Sequence, residues 1–490
     1  MKLTHLYTTI IICLLSFSCS KDFLERRPEA TLPISGIDYT KLENMFMPVS
    51  NAYAKLRSDN VHAFPYMGIF EVTSDDADKG STPEDSPIMG ELDGFKHNSS
   101  NTLIRDYWTG NYDIISAANF AILALPNFLP YIKQQSDMVI YQQDLGDAKF
   151  IRAYAYFNLG RVYGGVPIID STNSSLELAS KTRASLDSVY AFVHRDLSYA
   201  IQYLPESWPK EWTGRVTRYS AMALDAKVFL YQNKMDSVKY YTDKIIASAV
   251  YDLYPNLYKL FRLDGENSQE SLFEIQSSTL GNKTGDQTYC EYAYFQGPRG
   301  NSPQNLQGWG FKVPSAKLIT FLKGRNDSIR IHATIMARGS LTDEGDSIKT
   351  TCTNPYYNMK TYMPSYQNKW SYNGYGFDYN VRILRFAEVL LMNAEANVNL
   401  ANPTAAAISL NRVRSRAGLT PIASPTIQDI YDERRAELAL EENRFFDLVR
   451  TGQAAAILGP LGFTPGKNEV FPIPYSQIQL NSNLTQNNGY

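Results

Sequence analysis

The stretch GDAKFIRAYAYFNLGRVYGGVPII, residues 146–169, sets the fold class. Within it Ile151, Tyr154, Ala155, Asn158, Leu159 and Val162 return every three or four positions, the period of one helix face. Gly164 and Gly165, with Pro167 beyond, end the helix, because glycine takes the left-handed turn that closes a helix and proline cannot continue one. The same pattern predicts helices over 104–125, 186–204, 218–232 and 236–249, and later over 382–400, 403–417 and 426–450. An earlier one starts near Tyr39, with Leu42, Met45 and Phe46 on one side. Alanines two apart recur at Ala153 and Ala155, Ala221 and Ala223, and Ala394 and Ala396. Small residues at such crossings predict stacked antiparallel helix pairs, a mostly all-α scaffold with a degenerate helical repeat.

Two stretches interrupt this pattern. Residues 64–101 turn to Gly, Pro, Asp and Ser, including EVTSDDADKGSTPEDSP (71–87), and predict a long irregular acidic loop over 71–100. Residues 256–380 predict a loop-rich insert with little β structure, carrying the aromatic runs TYCEYAYFQGPRG (288–300), LQGWGFKVPS (306–315) and YQNKWSYNGYGFDY (366–379). The expected organisation is therefore a signal peptide (1–18), a tether (19–36), an N-terminal helical part with the acidic loop (37–255), the aromatic insert (256–380) and a C-terminal helical region (381–490). The Pro- and Asn-rich tail of that last region is expected to strap across the body.

Composition narrows the function. The 490 residues hold 47 Lys and Arg against 50 Asp and Glu, so the chain lacks the basic balance of a protein that lives on phosphate contacts, and nucleic acid is not an expected partner. Hydrophobic residues at 44% and charged residues at 20% suit a folded chain with a real core. Aromatic residues reach 13%, with 34 Tyr, whereas only 5 His and 4 Cys are present, so rings outnumber the raw material of His or metal catalysis.

The opening MKLTHLYTTIIICLLSFSCS has a positive charge at Lys2 and an apolar run from Leu6 to Phe17, too short to span a bilayer and suited to a secretory signal. Leu14 to Cys19 has the look of a lipobox with a bulky Phe17, so Cys19 is the expected lipidation site; an ordinary cleaved signal with an incidental cysteine is the alternative. Cys290 and Cys352 can form one disulfide in an oxidising compartment or remain two buried thiols. The apolar stretch from Ile115 to Ile132 is broken by Asn119, Pro126, Asn127 and Pro130 and is not expected to cross a membrane.

Glu441 with Arg444 and Asp447 with Arg450 are three apart and predict ion pairs on one helix face, with Phe445, Phe446 and Leu448 packing the apolar side. Asp75, Asp76 and Asp78 precede Gly80, but the EF-hand spacing fails, leaving a solvated acidic turn or acceptors for ligand hydroxyls. His62, His97, His194 and His332 lack paired metal-ligand spacing, and neither a GxSxG elbow nor a Walker-type phosphate loop occurs. The expectation is a non-enzyme without cofactor or metal. Aromatic recognition remains: Tyr289, Tyr292, Tyr294, Phe295, Trp309 and Phe311 lie in Gly-rich loops beside Arg299 and Asn301. Sugar rings pack their C–H faces on such planes and need polar side chains at their edges.

The C-terminal third resembles a known family. LRFAEVLLMNAEANVNL (384–400), LNRVRSRAGL (410–419), ERRAELALEENRFFDLVR (433–450) and FPIPYSQIQLNSNLTQNNGY (471–490) are similar, in order and spacing, to the signature of SusD/RagB outer-membrane lipoproteins. CSKDFLERRPEA (19–30), SDDADKG (74–80), WTGNYDIISAANFAI (108–122) and the stretch at 146–169 agree. The resemblance implies four tetratricopeptide-like helix pairs with a ligand-binding insert. It further implies a lipid-anchored protein on the outer membrane, facing the exterior, that captures oligosaccharide for a SusC-like TonB-dependent transporter. Because the family places a long N-terminal loop near its ligand, Asp75, Asp78 and Lys79 join the candidate ligand-binding residues. A RagB-like peptide receptor is the alternative, and a surface polysaccharide hydrolase is the alternative of another class.

Overall fold

The computed structural model describes residues 36–170, 177, 179–279, 288–301, 306–366 and 376–490. The expected signal peptide, Cys19 and nearly all of the tether lie outside these residues.

Helix predominates and strand is sparse. The frame consists of antiparallel pairs: α1 (Met47–Leu56) with α2 (Thr102–Ala124), α3 (Gln135–Tyr163) with α4 (Leu186–Tyr203), α5 (Arg218–Tyr231) with α6 (Met235–Ser248), and α7 (Phe386–Asn399) with α8 (Pro403–Arg416). Successive pairs stack, α2 on α3, α4 on α5 and α6 on α7, so the long chain excursion between α6 and α7 leaves the stack unbroken. Local signals fix the ends. Asn101 and Ser185 cap α2 and α4, Thr217 forms a reciprocal capping box with Ser220 at α5, and α3 stops at Gly164 with φ +73°. Helix α3 approaches α4 closely because Gly146 and Gly160 face it; a Cβ on either would lie 3.1 Å from Leu204 or 3.2 Å from Leu186. Around α3 the rings of Tyr154, Tyr156 and Phe157 are fully buried in the main core. The apolar stretch after Ile115 is part of this packing, on α2 and the turn that follows.

Three segments depart from expectation. The helix expected over 426–450 is two, α9 (Ile427–Glu437) and α10 (Arg444–Arg450), separated by a turn in which Leu440 and Glu442 adopt φ +63° and +58°. Residues 382–385, expected as helix, belong to a strand. Residues 71–100 are not a solvated loop: they contain a strand and the helix Pro87–Asp93, and Glu71, Asp75 and Asp76 are buried.

The strands form two-stranded antiparallel sheets. They are β1 (Ala77–Gly80), β2 (Ser271–Ile275), β3 (Phe311–Pro314), β4 (Ile335–Ala337), β5 (Tyr356–Asn358) and β6 (Val381–Arg385). β2 pairs with β6, Ile275 opposite Val381, so the insert leaves the frame and returns to it through adjacent strands. β1 pairs with β3, Ala77 opposite Pro314 and Gly80 opposite Phe311, which joins the acidic segment to the insert. β4 pairs with β5 inside the insert, over a separate small core that includes Leu260, Phe261, Met336, Tyr357 and Tyr362. Cys290 lies in the main core and Cys352 in this second one, as two buried thiols rather than a disulfide. The tail does strap the body: Phe471 N–H donates to Val162 O, Tyr475 N–H to Ser99 O, and the Asn487 amide to the carbonyls of Tyr163 and Phe471.

Candidate functional site

Two clusters of chemistry-bearing side chains stand out, and only one of them faces outward. Around α9 the charges form a buried lattice. Glu437 accepts from Arg330 Nε (2.9 Å), Arg385 Nη1 (2.6 Å) and Arg416. Glu433 accepts from Arg330 (2.6 Å), Arg414 (2.7 Å) and Arg325 (2.5 Å). Burial alone would raise the Glu437 carboxyl, but the guanidiniums of Arg416, Arg385 and Arg330 hold it well below the usual carboxylate range. The expected pair of Asp447 with Arg450 is present at 2.7 Å. The expected pair of Glu441 with Arg444 is not. Glu441 lies in the turn before α10, where helical spacing does not apply, and meets Arg385 (2.7 Å) and Lys360 (2.6 Å). Arg444 turns instead to Asp75 at 2.8 Å.

That contact corrects the reading of the acidic segment. Both Asp75 oxygens accept from Arg444 and Arg435, and the side chain is sealed from solvent. Burial would raise its carboxyl; Arg444 and Arg435 together take it below the ordinary value. Asp75 therefore ties the acidic segment to α9 and α10 and offers no acceptor to a ligand. Lys79 donates to the carbonyls of Thr82 (2.8 Å) and Asp85 (2.6 Å), which folds the loop beyond β1 onto itself. Asp78, on β1, is exposed. Among the described residues no three His, Cys, Asp or Glu side chains group to hold a metal ion.

The second cluster is a shallow aromatic platform where the acidic segment meets the insert. Two insert strands of backbone cross at their glycines: Gly310 N–H donates to Gly297 O (2.9 Å), and Trp309 N–H to Tyr294 O (3.2 Å). A Cβ on Gly308 would lie 2.3 Å from Tyr294 O and 2.5 Å from Gly297 Cα, so only glycine permits this crossing. The crossing presents Tyr294, Phe295 and Trp309 half-buried, and Phe64 joins them from the N-terminal part, 4.9 Å from Phe295. Arg299 stacks over Trp309 at 5.0 Å and pairs with Asp85 at 3.0 Å, while Asp85 also accepts from Ser81 (2.7 Å) and Thr82 (2.9 Å). Flat rings are thus fixed next to a guanidinium and a carboxylate at partial exposure. Such a surface can hold the C–H face of a sugar and bond its hydroxyls.

Of the candidate residues, the structure brings Tyr294, Phe295, Arg299 and Trp309 together on this surface. Tyr289, Tyr292 and Phe311 are buried beneath it and support it rather than face a ligand. The Tyr292 hydroxyl donates to Glu442 (2.7 Å) and accepts from Lys312 (2.8 Å), and Phe311 packs edge-on to Phe64 at 4.8 Å. Lys312, flanked by the buried Phe311 and Val313, holds φ +50°, and its ammonium bonds Glu442 and Leu440 O. Phe64 and Asp85 were missed: each lies far from the insert in sequence, and tertiary contacts bring them in, Phe64 through Phe295 and Phe311 and Asp85 through Arg299 beyond the β1–β3 pair. Part of the aromatic run 366–379, namely 367–375, lies outside the described residues.

The fold and this surface define a class: a stack of helix pairs that carries a loop-built aromatic platform on an insert. Comparison with known proteins gives the family. A profile described as "Starch-binding associating with outer membrane" matches residues 22–230, and one described as "SusD family" matches 269–490. The chain belongs to the SusD/RagB family. A SusD-like protein of Formosa agariphila is 27% identical, covering 99% of each chain. A solved laminarin-binding SusD-like protein is 26% identical with TM-score 0.79, covering 91% of this chain and 99% of that one. Surface glycan-binding protein A from Bacteroides thetaiotaomicron, solved with laminarihexaose, is 25% identical with TM-score 0.76 over the same shares.

Proposed function

We propose that this protein is a surface glycan-binding lipoprotein of the outer membrane, anchored through Cys19, that captures oligosaccharide on the platform of Phe64, Tyr294, Phe295 and Trp309 and delivers it, uncleaved, to a SusC-like TonB-dependent transporter. The observation that carries this reading is the fixed, half-buried Trp309 with Arg299 stacked on it and Asp85 behind. Relatives that match almost end to end and bind laminarin or laminarihexaose support the ligand class. On the platform, ring stacking supplies affinity, while Arg299 and Asp85 bond the hydroxyls at the sugar edge. The partial exposure of the rings suits release as well as capture. Titration of a neutral oligosaccharide panel that includes laminarin oligomers, by calorimetry, tests it. Binding is expected for at least one glycan and is expected to fall about thirtyfold in Trp309→Ala, roughly 2 kcal/mol. Unchanged binding in that variant removes the platform from the site, and new reducing ends on incubation with polysaccharide overturn the non-catalytic reading.

A further inference from the structure

A second concavity lies on the frame itself, between α1, the connection from α4 to α5, and β2. It comprises a cavity of about 430 Å³ and an adjoining one of about 260 Å³, which share Thr213, Gly214, Arg215, Glu274 and Gln276. The larger falls within the roughly 300–1,000 Å³ of small-molecule sites. It has no lining residue in common with the platform.

Its walls are unlike those of a packing defect. Trp212, one of only five tryptophans in the chain, is 39% exposed, although large rings are ordinarily covered. Its orientation is fixed: Phe46 meets it edge-on at 5.1 Å, and Arg215 stacks on Trp208 at 3.8 Å and on Trp212 at 5.2 Å while paired with Asp144 and Asp147. Arg215 is thus already neutralised. Arg57 is not. It lines the larger cavity, its Nε is buried without a hydrogen-bond partner, and it makes no ion pair among the described residues. Burial pulls its guanidinium below the ordinary arginine value, the mark of a cation held where water serves it poorly. Of the carboxylates that line the two cavities, Glu206 is exposed and pairs with Arg218 at 3.3 Å, Glu211 is exposed at the rim, and Glu274 accepts from Asn267 N–H and the Asn380 amide. Ser50, Thr213 and Gln276 add hydroxyl and amide groups.

We propose that this groove is a second saccharide subsite, selective for an acidic sugar unit, whose ring packs on Trp212 and whose anionic substituent pairs with Arg57. An exposed indole flanked by hydroxyls and amides fits a sugar face and its edge, and the unpaired guanidinium adds the demand for a negative charge. A uronate carboxylate and a sulfate ester meet that demand equally, so both serve as probes.

The test is calorimetric titration of the full mature chain with a trigalacturonate, a sulfated disaccharide and a neutral laminarin oligomer. Wild type is compared with Trp212→Ala, Arg57→Gln, Arg57→Lys and Trp309→Ala, each checked for unchanged thermal unfolding. At least one acidic probe is expected to bind wild type. Its affinity is expected to fall about tenfold or more in Trp212→Ala and Arg57→Gln, to be partly restored in Arg57→Lys, and to hold within about twofold in Trp309→Ala. The inference is overturned if neither acidic probe binds wild type, if Arg57→Gln and Trp212→Ala bind as wild type does, if Trp309→Ala abolishes acidic binding, or if an acidic peptide competes better than either saccharide. The neutral oligomer reports on the platform separately: its loss in Trp309→Ala, with the acidic arm unmoved by any variant, leaves the platform standing and removes the groove.

Discussion

The lattice around α9 and the platform on the insert are made of the same materials, arginine, carboxylate and aromatic ring, and differ in what surrounds them. In the lattice Glu433 and Glu437 are each shared by three guanidiniums and sealed from water, Glu437 among Arg330, Arg385 and Arg416. On the platform one guanidinium, Arg299, serves one carboxylate, Asp85, and lies over a ring that keeps a face toward solvent. The first arrangement leaves nothing to offer a ligand and fixes where the turn before α10 runs. The second holds its groups in place while their bonding capacity remains incomplete. Availability, not residue type, separates a joint from a binding surface.

The largest break in this contrast comes from the lattice. Glu437→Ala strands buried guanidiniums and is expected to cost about 3–5 kcal/mol of stability in chemical denaturation. Glycan affinity measured on the folded fraction should change little, and a selective loss of binding with stability intact would erase the distinction drawn here. His62 sharpens the contrast from the other side, as a buried group kept neutral. Its ring contacts the Tyr154 hydroxyl (2.7 Å), and burial takes its pKa down to about 4 from an ordinary 6.5. Between those values the unfolded chain binds a proton that the folded chain refuses, so stability falls as pH drops from 6.5 toward 4, by about 3 kcal/mol in all for this group. Denaturation of wild type and His62→Gln across that window should show the gap between them changing by this amount in favour of the variant at low pH; parallel curves would contradict it.

On the platform, Gly308→Ala places a Cβ against Tyr294 O and Gly297 Cα. It is expected to cost about 1–3 kcal/mol of stability and, unlike Glu437→Ala, to reduce glycan affinity as well, because the two ring-bearing strands must part. The smallest effect belongs to Asp85→Asn. The pair with Arg299 is partly solvated, so stability should change by less than about 1 kcal/mol, while loss of a fixed acceptor lowers glycan affinity a few-fold by calorimetry.

Much of the frame was readable from periodicity, because the 3.6-residue pattern and its stop signals at Gly164 or Thr217 are local. The break between α9 and α10 was not, since 433–450 keeps helical composition throughout and the turn with left-handed Leu440 and Glu442 is held by Lys360 and Lys312 from the insert and Arg385 from β6. The site was half legible. Gly-rich loops drew attention to Tyr294, Phe295, Arg299 and Trp309, which the structure brings to one half-buried surface, but loop sequence cannot say which aromatic of an alternating set points inward. Hence Tyr292, two residues from the half-buried Tyr294, was grouped with ligand contacts although its hydroxyl is anchored on Glu442. Asp75 failed for a related reason: a carboxylate's partner can lie 360 positions away, as Arg435 does.

The clasp of β2 with β6 has an implication for how such proteins diversify. Where a chain departs and re-enters at neighbouring points, lengthening or replacing what lies between changes the closure entropy only logarithmically. Variation in length is therefore tolerated between these strands wherever the contacts of Arg330, Lys312 and Lys360 with the C-terminal region are kept.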